Sequence, residues 1–415
     1  MPAATVTNHK GCTMSAARKT TSTLKLNFDL QGAMTGFASA SHATAAHHRI
    51  MKNYTSPLLF GPPRSDALLD LVTHMFTDEE ALLVAHLPPL WPRTAAKVAR
   101  LAGRPEAEVE RVLHNLAFNK IVILASGEPP KYTLMPIVPG TFEAALMTPD
   151  LATRNTWHQR FAELFEKLWL TGYMAQYPGD IKNPLVRYLP VGGAAKTLRM
   201  AWPSDMLEEI LEPYDLFAVG HCQCRLSMQL VGKGCGKPTE NCTAFGPLAK
   251  PFIERGMMRR ADRAEIVEIK RRAELEGCVT WMMNESDDHR GNSSCSCCGC
   301  CCHALRSVTT FSIPGLLSRP HFLPARDAAK CTLCGKCARA CPMGAWTLAG
   351  KTLTFQQPRC IGCGLCTLSC NSDALTLEPV RDAQPPFASL NRMLLGMTPG
   401  MLKNSFRVWA GRLFS

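Results

Sequence analysis

The sequence predicts an α+β protein of several domains: a helical front end closed by a hairpin, a mostly helical cysteine-rich middle, and a small C-terminal module built on a duplicated loop. Three observations predict it. Helical periodicity over residues 65–119 gives way to two strand-like runs around a turn. Twenty cysteines fall in clumps, fourteen of them within 295–302 and 331–370. The pattern C-x2-C-x2-C-x3-C occurs twice, at 331–341 and 360–370.

At 415 residues the chain is long enough for several cores, and 46% hydrophobic residues is ordinary for a globular protein. A secreted disulfide scaffold is short and spreads its cysteines. Clumping in a long chain points to a reducing, cytoplasmic setting and to metal ligation. The formal charge is +12, but residues 1–50 and 391–415 contribute +4 each. Basicity therefore belongs mainly to the two ends and does not argue for nucleic acid. No apolar run reaches the ~18 residues of a membrane span, and the N-terminus has no apolar run of the secretory kind.

Residues 1–55 are rich in Ser, Thr, Ala and His. They read as disordered or as a start that is not native, with an organelle transit segment as the alternative; globular character begins at Met51. Over 60–145, "TDEEALLVAHL" opens on Thr77 with three acids behind it, a helix-start signature. Gly103 stops the next helix. "PEAEVERVLHNLAFNK" puts Val109, Val112, Leu113 and Leu116 on one face. "IVILA" and "KYTLMPIV" then flank a "SGEPP" turn. Three helices followed by a hairpin resemble a winged helix. The helix at the recognition position, however, carries Glu106, Glu108 and Glu110 against Arg111, which phosphates repel. DNA is therefore not the expected partner.

The middle region is assigned to 150–315. Trp157, Phe161, Leu164, Phe165 and Leu168 form a core stripe, and 243–277 reads as helical with a solvated charged face. Its chemistry lies in sulfur. "SCSCCGCCCH" packs six cysteines into 295–302, where chain neighbours rarely meet disulfide geometry. Upstream, Cys222, Cys224, Cys235 and Cys242 make four more thiols, two of them around the turn "GKGCGKP". A candidate second metal set is therefore Cys222, Cys224, Cys235, Cys242, Cys295, Cys298 and Cys301. Three arrangements stay open: a cluster on the upstream four with another on 295–302, one site combining both zones, or a zinc ion on the upstream four. Six thiols on so short a stretch do not all face one site, because adjacent side chains diverge. His221 and His303 border these cysteines as outer donors or ligands. Cys278 reads as buried, and Cys12 has no partner at metal spacing.

The duplicated run carries the sharpest signal. "CTLCGKCARACP" and "CIGCGLCTLSCN" share their cysteines, and "CPMGAWTL" matches "CNSDALTL" at Ala, Thr and Leu. Residues 322–382 resemble the bacterial two-cluster ferredoxins. The resemblance implies two [4Fe–4S] clusters, one on Cys331, Cys334, Cys337 and Cys370, the other on Cys360, Cys363, Cys366 and Cys341, because the last cysteine of each run serves the opposite cluster. Cys295, Cys298, Cys301 and Gly299 repeat the spacing of these loops. From residue 60 to 380 the chain also resembles a group of uncharacterised cysteine-rich ferredoxin-type proteins of anaerobic bacteria, which implies electron transfer with redox partner proteins. One or two further iron–sulfur clusters, or a zinc ion, would then occupy the middle region. A reductase with its active site there, or a redox-responsive winged-helix regulator, are the alternatives.

The tail, 385–415, contains "MLKNSFRVWAGRLF", which aligns Leu402, Phe406, Trp409 and Leu413 with Lys403, Arg407 and Arg412 elsewhere. A basic amphipathic helix of this kind docks on a partner or a membrane surface.

Overall fold

The computed structural model describes residues 42–56, 61–89, 91–148, 150–173, 185–190, 192–195, 206–286, 289–311, 317 and 319–413. Cys12 and the first forty-one residues lie outside them. The described chain begins with helix α1 (Ala45–Tyr54), capped by Thr44. Its Ile50, Met51 and Tyr54 are buried against the following helices. The disorder expected through residue 55 is therefore corrected for 45–54: one turn of apolar side chains is enough to dock a helix whose sequence is otherwise polar.

Helices α2 (Asp66–Met75), α3 (Asp78–Val84), α4 (Ala95–Ala102) and α5 (Glu106–Phe118) follow, with the short strand β1 (Arg93–Thr94) before α4. Thr77 caps α3 in a reciprocal box with Glu80, and Gly103 ends α4 at φ +64°. Strands β2 (Ile123–Ser126) and β3 (Lys131–Leu134) pair antiparallel, and β1 adds to β3, giving the order β1-β3-β2. Val109, Leu113 and Leu116 of α5 are buried, Val112 half-buried. Helix α6 (Phe142–Leu146) leads to α7 (Thr156–Leu170), whose Phe161, Leu164, Phe165 and Leu168 are buried as a stripe. These residues join the same apolar cluster as Leu68 and Leu71 of α2. The boundary expected at 145–150 thus falls inside one continuous core, because α7 buries its stripe on α2.

The expected mostly helical middle is corrected more strongly. Strands β4 (Val186–Leu189), β5 (Phe217–His221), β6 (Glu240–Phe245), β7 (Arg259–Ala261), β8 (Val279–Met283) and β9 (Asn292–Cys297) form, among the described residues, one antiparallel sheet of order β4-β8-β9-β6-β5-β7. The helices between them are α8 (Gly192–Ala195), α9 (Leu207–Leu211), α10 (Gln223–Leu230), α11 (Ala249–Glu254) and α12 (Arg263–Leu275). All of β4 and most of β5 and β6 are buried on both faces. A strand buried on both faces shows no two-residue alternation, so periodicity cannot reveal it. On one face, Ile266 and Ile269 of α12 pack with Val219, Phe245 and Met282. On the other, Ala218, Cys242 and Ala244 pack with Met135 and Met147 of the N-terminal region.

Helix α13 (His303–Phe311) leads to the C-terminal module: β10 (Phe322–Arg326), α14 (Lys336–Ala340), β11 (Trp346–Ala349), β12 (Thr352–Phe355), α15 (Leu365–Leu368) and β13 (Leu375–Pro379). β10 pairs with β13 and β11 with β12, so each half supplies one helix and the ends close on each other. Helix α16 (Leu390–Leu413) ends the described chain.

Lys167 on α7 donates to Asp70 on α2 at 2.5 Å, both side chains buried. Replacing Asp70 by Ala strands the ammonium, at about 3–5 kcal/mol. The expected outcome is a lower urea midpoint for the loss of far-ultraviolet dichroism; an unchanged midpoint contradicts the pairing.

Candidate metal centres

In the C-terminal module the loops turn on glycine. Gly335 (φ +70°) and Gly364 (φ +78°) precede α14 and α15, and a Cβ on either would lie 2.8 Å from Leu348 Cδ2 or 2.6 Å from Ala194 Cβ. Cys360, Cys363, Cys366 and Cys341 line one cavity together, walled by Trp346, Ile361 and Leu377. Cys341 thus lines a cavity with the second run while also packing in an apolar cluster with Cys331, Cys337 and Cys370 of the other set. Cys331, Cys337 and Cys370 share an apolar cluster with Trp346 and Leu375; Cys334, electrostatically coupled to Cys337, is exposed. Backbone N–H groups point at sulfur in the same register in both halves: Ala345 donates to Cys341 Sγ and Ala374 to Cys370 Sγ, each at 3.3 Å, while Gly362 donates to Cys360 Sγ at 3.4 Å. Burial pushes Cys360 up to about 11, Cys366 up to about 12 and Cys363 well above 9. Bare thiols here stay protonated, whereas a bound cation takes the proton's place. Donor set, glycine turns and cavity all fit a cluster.

The middle thiols divide in a way the spacing did not reveal. Cys242 and Cys295 face each other across the β6–β9 ladder, Sγ to Sγ 3.7 Å. Cys297, two residues on, shares the Cys295 side of β9. Both Cys297 and Cys224 hydrogen-bond Cys302, and Cys222, at the start of α10, feels the charge of Cys242 and Cys302. These six thiols form one group. Cys235, Cys298, Cys300 and Cys301 form another, with all four sulfurs within 4.8 Å of one another. Of the expected second set, Cys222, Cys224, Cys242 and Cys295 fall in the first group and Cys235, Cys298 and Cys301 in the second. None of the three arrangements anticipated this division. Cys297, Cys300 and Cys302, which the spacing offers only as extra thiols of the 295–302 run, are sorted between the groups by the strand register and the following turn. The six thiols of 295–302 divide between the two groups, as the divergence of adjacent side chains requires, except that the turn at 299–301 holds Cys300 and Cys301 at 4.0 Å.

Two buried cations serve the sulfurs. Lys270 of α12, fully buried, donates to the carbonyls of Asn241 and Ser294 at 3.3 and 3.0 Å. Burial pushes its ammonium down to about 8, opposed by Cys295, Cys242, Cys297 and Cys222. Arg225 of α10 donates to the carbonyls of Pro238 and Ser296 and to Cys278 Sγ, and it lies within charge reach of Cys222 and Cys298. The Tyr188 hydroxyl is buried without a hydrogen-bond partner, and it feels Cys302, Cys297, Cys295 and Cys224. An orphaned hydroxyl, and buried cations with no carboxylate partner among the described residues, fit an anionic metal–sulfur group around these thiols.

Of the two histidines, His303 sets Nδ1 3.5 Å from Cys224 Sγ and Nε2 3.0 Å from Glu166, whose other oxygen takes Arg306 at 2.6 Å. Burial pushes the Glu166 carboxyl up, but His303 and Arg306 overcome this and hold it down at about 2. His221 bonds Thr239 Oγ1 at 2.7 Å. Cys278 is buried, as expected.

The two sulfur regions touch. Cys295, Cys297 and Cys302 share an apolar cluster with Cys341, Cys363 and Ile361. Gly299 packs so tightly on the module that a Cβ there would lie 2.8 Å from the Pro342 carbonyl oxygen.

Comparison with known proteins adds a match to the family model of the 4Fe-4S dicluster domain over residues 323–376. No curated protein matches the chain, and no solved structure does. The match shows a ferredoxin-type iron–sulfur domain at the C-terminal end.

Gly299→Val sets a branched side chain against a backbone oxygen, at about 1–3 kcal/mol. The expected result is faster amide exchange in both 298–302 and 341–344; unchanged exchange in either segment contradicts the contact.

Proposed function

We propose that the protein is an iron–sulfur electron-transfer protein. Its C-terminal module holds two [4Fe–4S] clusters, and the six middle thiols Cys222, Cys224, Cys242, Cys295, Cys297 and Cys302 hold a further iron–sulfur centre. The cavity that pools Cys341 with Cys360, Cys363 and Cys366 carries this reading, since the ligand exchange between halves is the signature of the two-cluster arrangement. When bound, such clusters supply reversible one-electron transfer. The chain's own residues do the rest. Ile361, Leu365 and Met343 exclude water between the two sulfur regions. The N–H groups of Ala345, Gly362 and Ala374 stabilise negative sulfur. Lys270 and Arg225 offset the charge of the middle thiolates.

Exposed Cys334 supports a docking edge for a redox partner protein at the far end of the module. Leu395, Leu402 and Phe406 stand exposed on α16 and support partner or membrane-surface docking; the side chains of Trp409 and Leu413 lie outside the described residues. Among the described residues no helix is long and apolar enough to cross a membrane. The helices and hairpin of 66–134 support a winged-helix reading. Acidic α5, with Glu106 and Glu110 exposed and Glu108 paired to Arg104 at 2.5 Å, favours a scaffold or partner-binding role over DNA. The thiol-rich setting supports a cytoplasmic location.

Protein purified without oxygen is expected to carry about eight iron and eight sulfide in the module and about four or more of each beyond it. Cys341→Ser is expected to abolish the paramagnetic signal of one module cluster and spare the other. A total near zero, or loss of both signals together, overturns the reading.

Lys270→Met removes a unit charge, worth roughly 2–4 kcal/mol per electron at an effective dielectric near 20, or on the order of 100 mV. Redox titration is expected to find the middle centre harder to reduce and the module potentials unmoved. No shift in the middle centre counts against placing it on these thiols.

A further inference from the structure

We propose that Cys235, Cys298, Cys300 and Cys301 bind a single tetrahedral zinc ion, separate from the iron–sulfur centres. The argument starts from sulfur spacing. Four thiolates at the ~2.3 Å Zn–S distance of a tetrahedral site sit about 3.8 Å apart. Cys235 and Cys298 are 3.8 Å apart, Cys300 and Cys301 4.0 Å, and all four sulfurs lie within 4.8 Å of one another. Among the described residues no other group of three or more His, Cys, Asp or Glu donors is drawn so close. A four-iron cluster places one iron under each thiolate with sulfides between, so its ligands stand further out than those of one ion.

Local backbone builds the site on purpose-made turns. Cys235 sits in "GKGCGKP", where Gly236 takes φ +73° and a Cβ on Gly234 would lie 2.7 Å from Gln229 Cγ. The loop is tied down on both sides. Lys233 N–H donates to the Met228 carbonyl at 2.7 Å, and Arg225 holds the Pro238 carbonyl. The N–H of Lys237 points at Cys235 Sγ, two residues on, a turn that frees the sulfur's remaining lone pairs for an ion. Cys298 leaves the end of β9, and the 299–301 turn brings the last two sulfurs round. Met228, Ala273 and Val231 close the apolar side.

Charge agrees. Four thiolates around one divalent ion carry −2. Arg225 hydrogen-bonds Cys298, and Lys237, anchored on the Glu276 carbonyl, lies beside Cys278. Arg225 thus faces the dianion. Binding releases the four thiol protons to solvent and changes no oxidation state. The ion ties the loop at 231–239 to the turn that abuts Pro342, so it fixes the segment between the middle thiols and the module.

The site is independent of the clusters, and the test keeps them apart. Full-length protein is purified without oxygen, and zinc and iron are counted. Cys235→Ser and Cys300→Ser are then compared under competition with a zinc chelator. The expected result is one zinc per chain in the wild type, at least tenfold weaker retention in each variant, and unchanged iron. Iron falling by about four in Cys300→Ser overturns the proposal by giving these thiols to a cluster. Where a variant fails to fold, zinc-edge X-ray absorption of the wild type decides. Four sulfurs at ~2.3 Å uphold it. A shell with nitrogen or oxygen, or iron in place of zinc, overturns it.

Discussion

The sulfurs of Cys242 and Cys295, 3.7 Å apart across one antiparallel ladder, fix where the other middle thiols fall. With that register set, Cys297 follows on the same side of β9, and Ser294 and Ser296 take the opposite side. A slip of one residue would exchange the serines for the cysteines. The strand ends at Cys297, so Cys298 is the first residue free to turn toward Cys235, and Cys302 is the last before α13 begins. On β5, the strand on the other side of β6, the register shift between Gly220 and His221 lets Cys222 swing toward the same sulfurs. One ladder therefore sorts ten thiols into two groups.

Concentrating sulfur at such depth has an electrostatic cost that hydrophobic packing cannot offset. Burial pushes Cys222 up to about 12, so an isolated thiol there holds its proton. Lys270 and Arg225 are buried in the same region, and among the described residues their hydrogen bonds go to carbonyls and sulfur rather than to carboxylates. A buried cation without a counter-anion is strongly destabilising. Deprotonated, metal-bound sulfur would resolve both problems at once. The ion would take the place of the thiol protons, which leave to solvent, and the surplus negative charge would meet the ammonium and guanidinium. Glu166, by contrast, is fully served by His303 and Arg306, and its own charge is spent on holding α13 against α7.

What the sequence discloses follows the range of the forces that set it. Ligand loops of the C-terminal module are legible because three thiols and a left-handed glycine lie within seven residues, and local geometry alone dictates their spacing. The same holds for Thr77 with Glu80 and for Gly103, whose roles are settled within one helical turn. Strands β4 to β6 are hidden because both faces are covered. The helix at 45–54 is hidden because only three buried apolar side chains, with His47, carry it in a polar context. Cys300 and Cys302 could not be assigned from spacing, since a turn and a helix start, neither encoded in the interval between cysteines, send them to different sites. Exchange of Cys341 into the opposite half is an expectation of the family resemblance, one that spacing within a single run does not disclose; in this chain Cys341 lines a cavity with Cys360, Cys363 and Cys366.

Gly299 has the same place in its loop as Gly335 and Gly364 have in theirs, yet it acts differently. The module glycines take left-handed backbone, which a side chain resists even in open space. Gly299 is confined instead by Pro342, the residue after Cys341, because no room remains for a methyl group between the two loops. Its lack of a side chain is thus a condition of approach between two sulfur regions, where van der Waals contact replaces a layer of solvent. Water at that boundary would solvate charge on either side and raise the rearrangement needed whenever that charge changes. An apolar contact lined by the buried side chains of Ile361, Met343 and Leu305 keeps that rearrangement small. The proposed electron exchange between the middle thiols and the module would be favoured by such a boundary, whereas a purely structural joint between domains gains nothing from it.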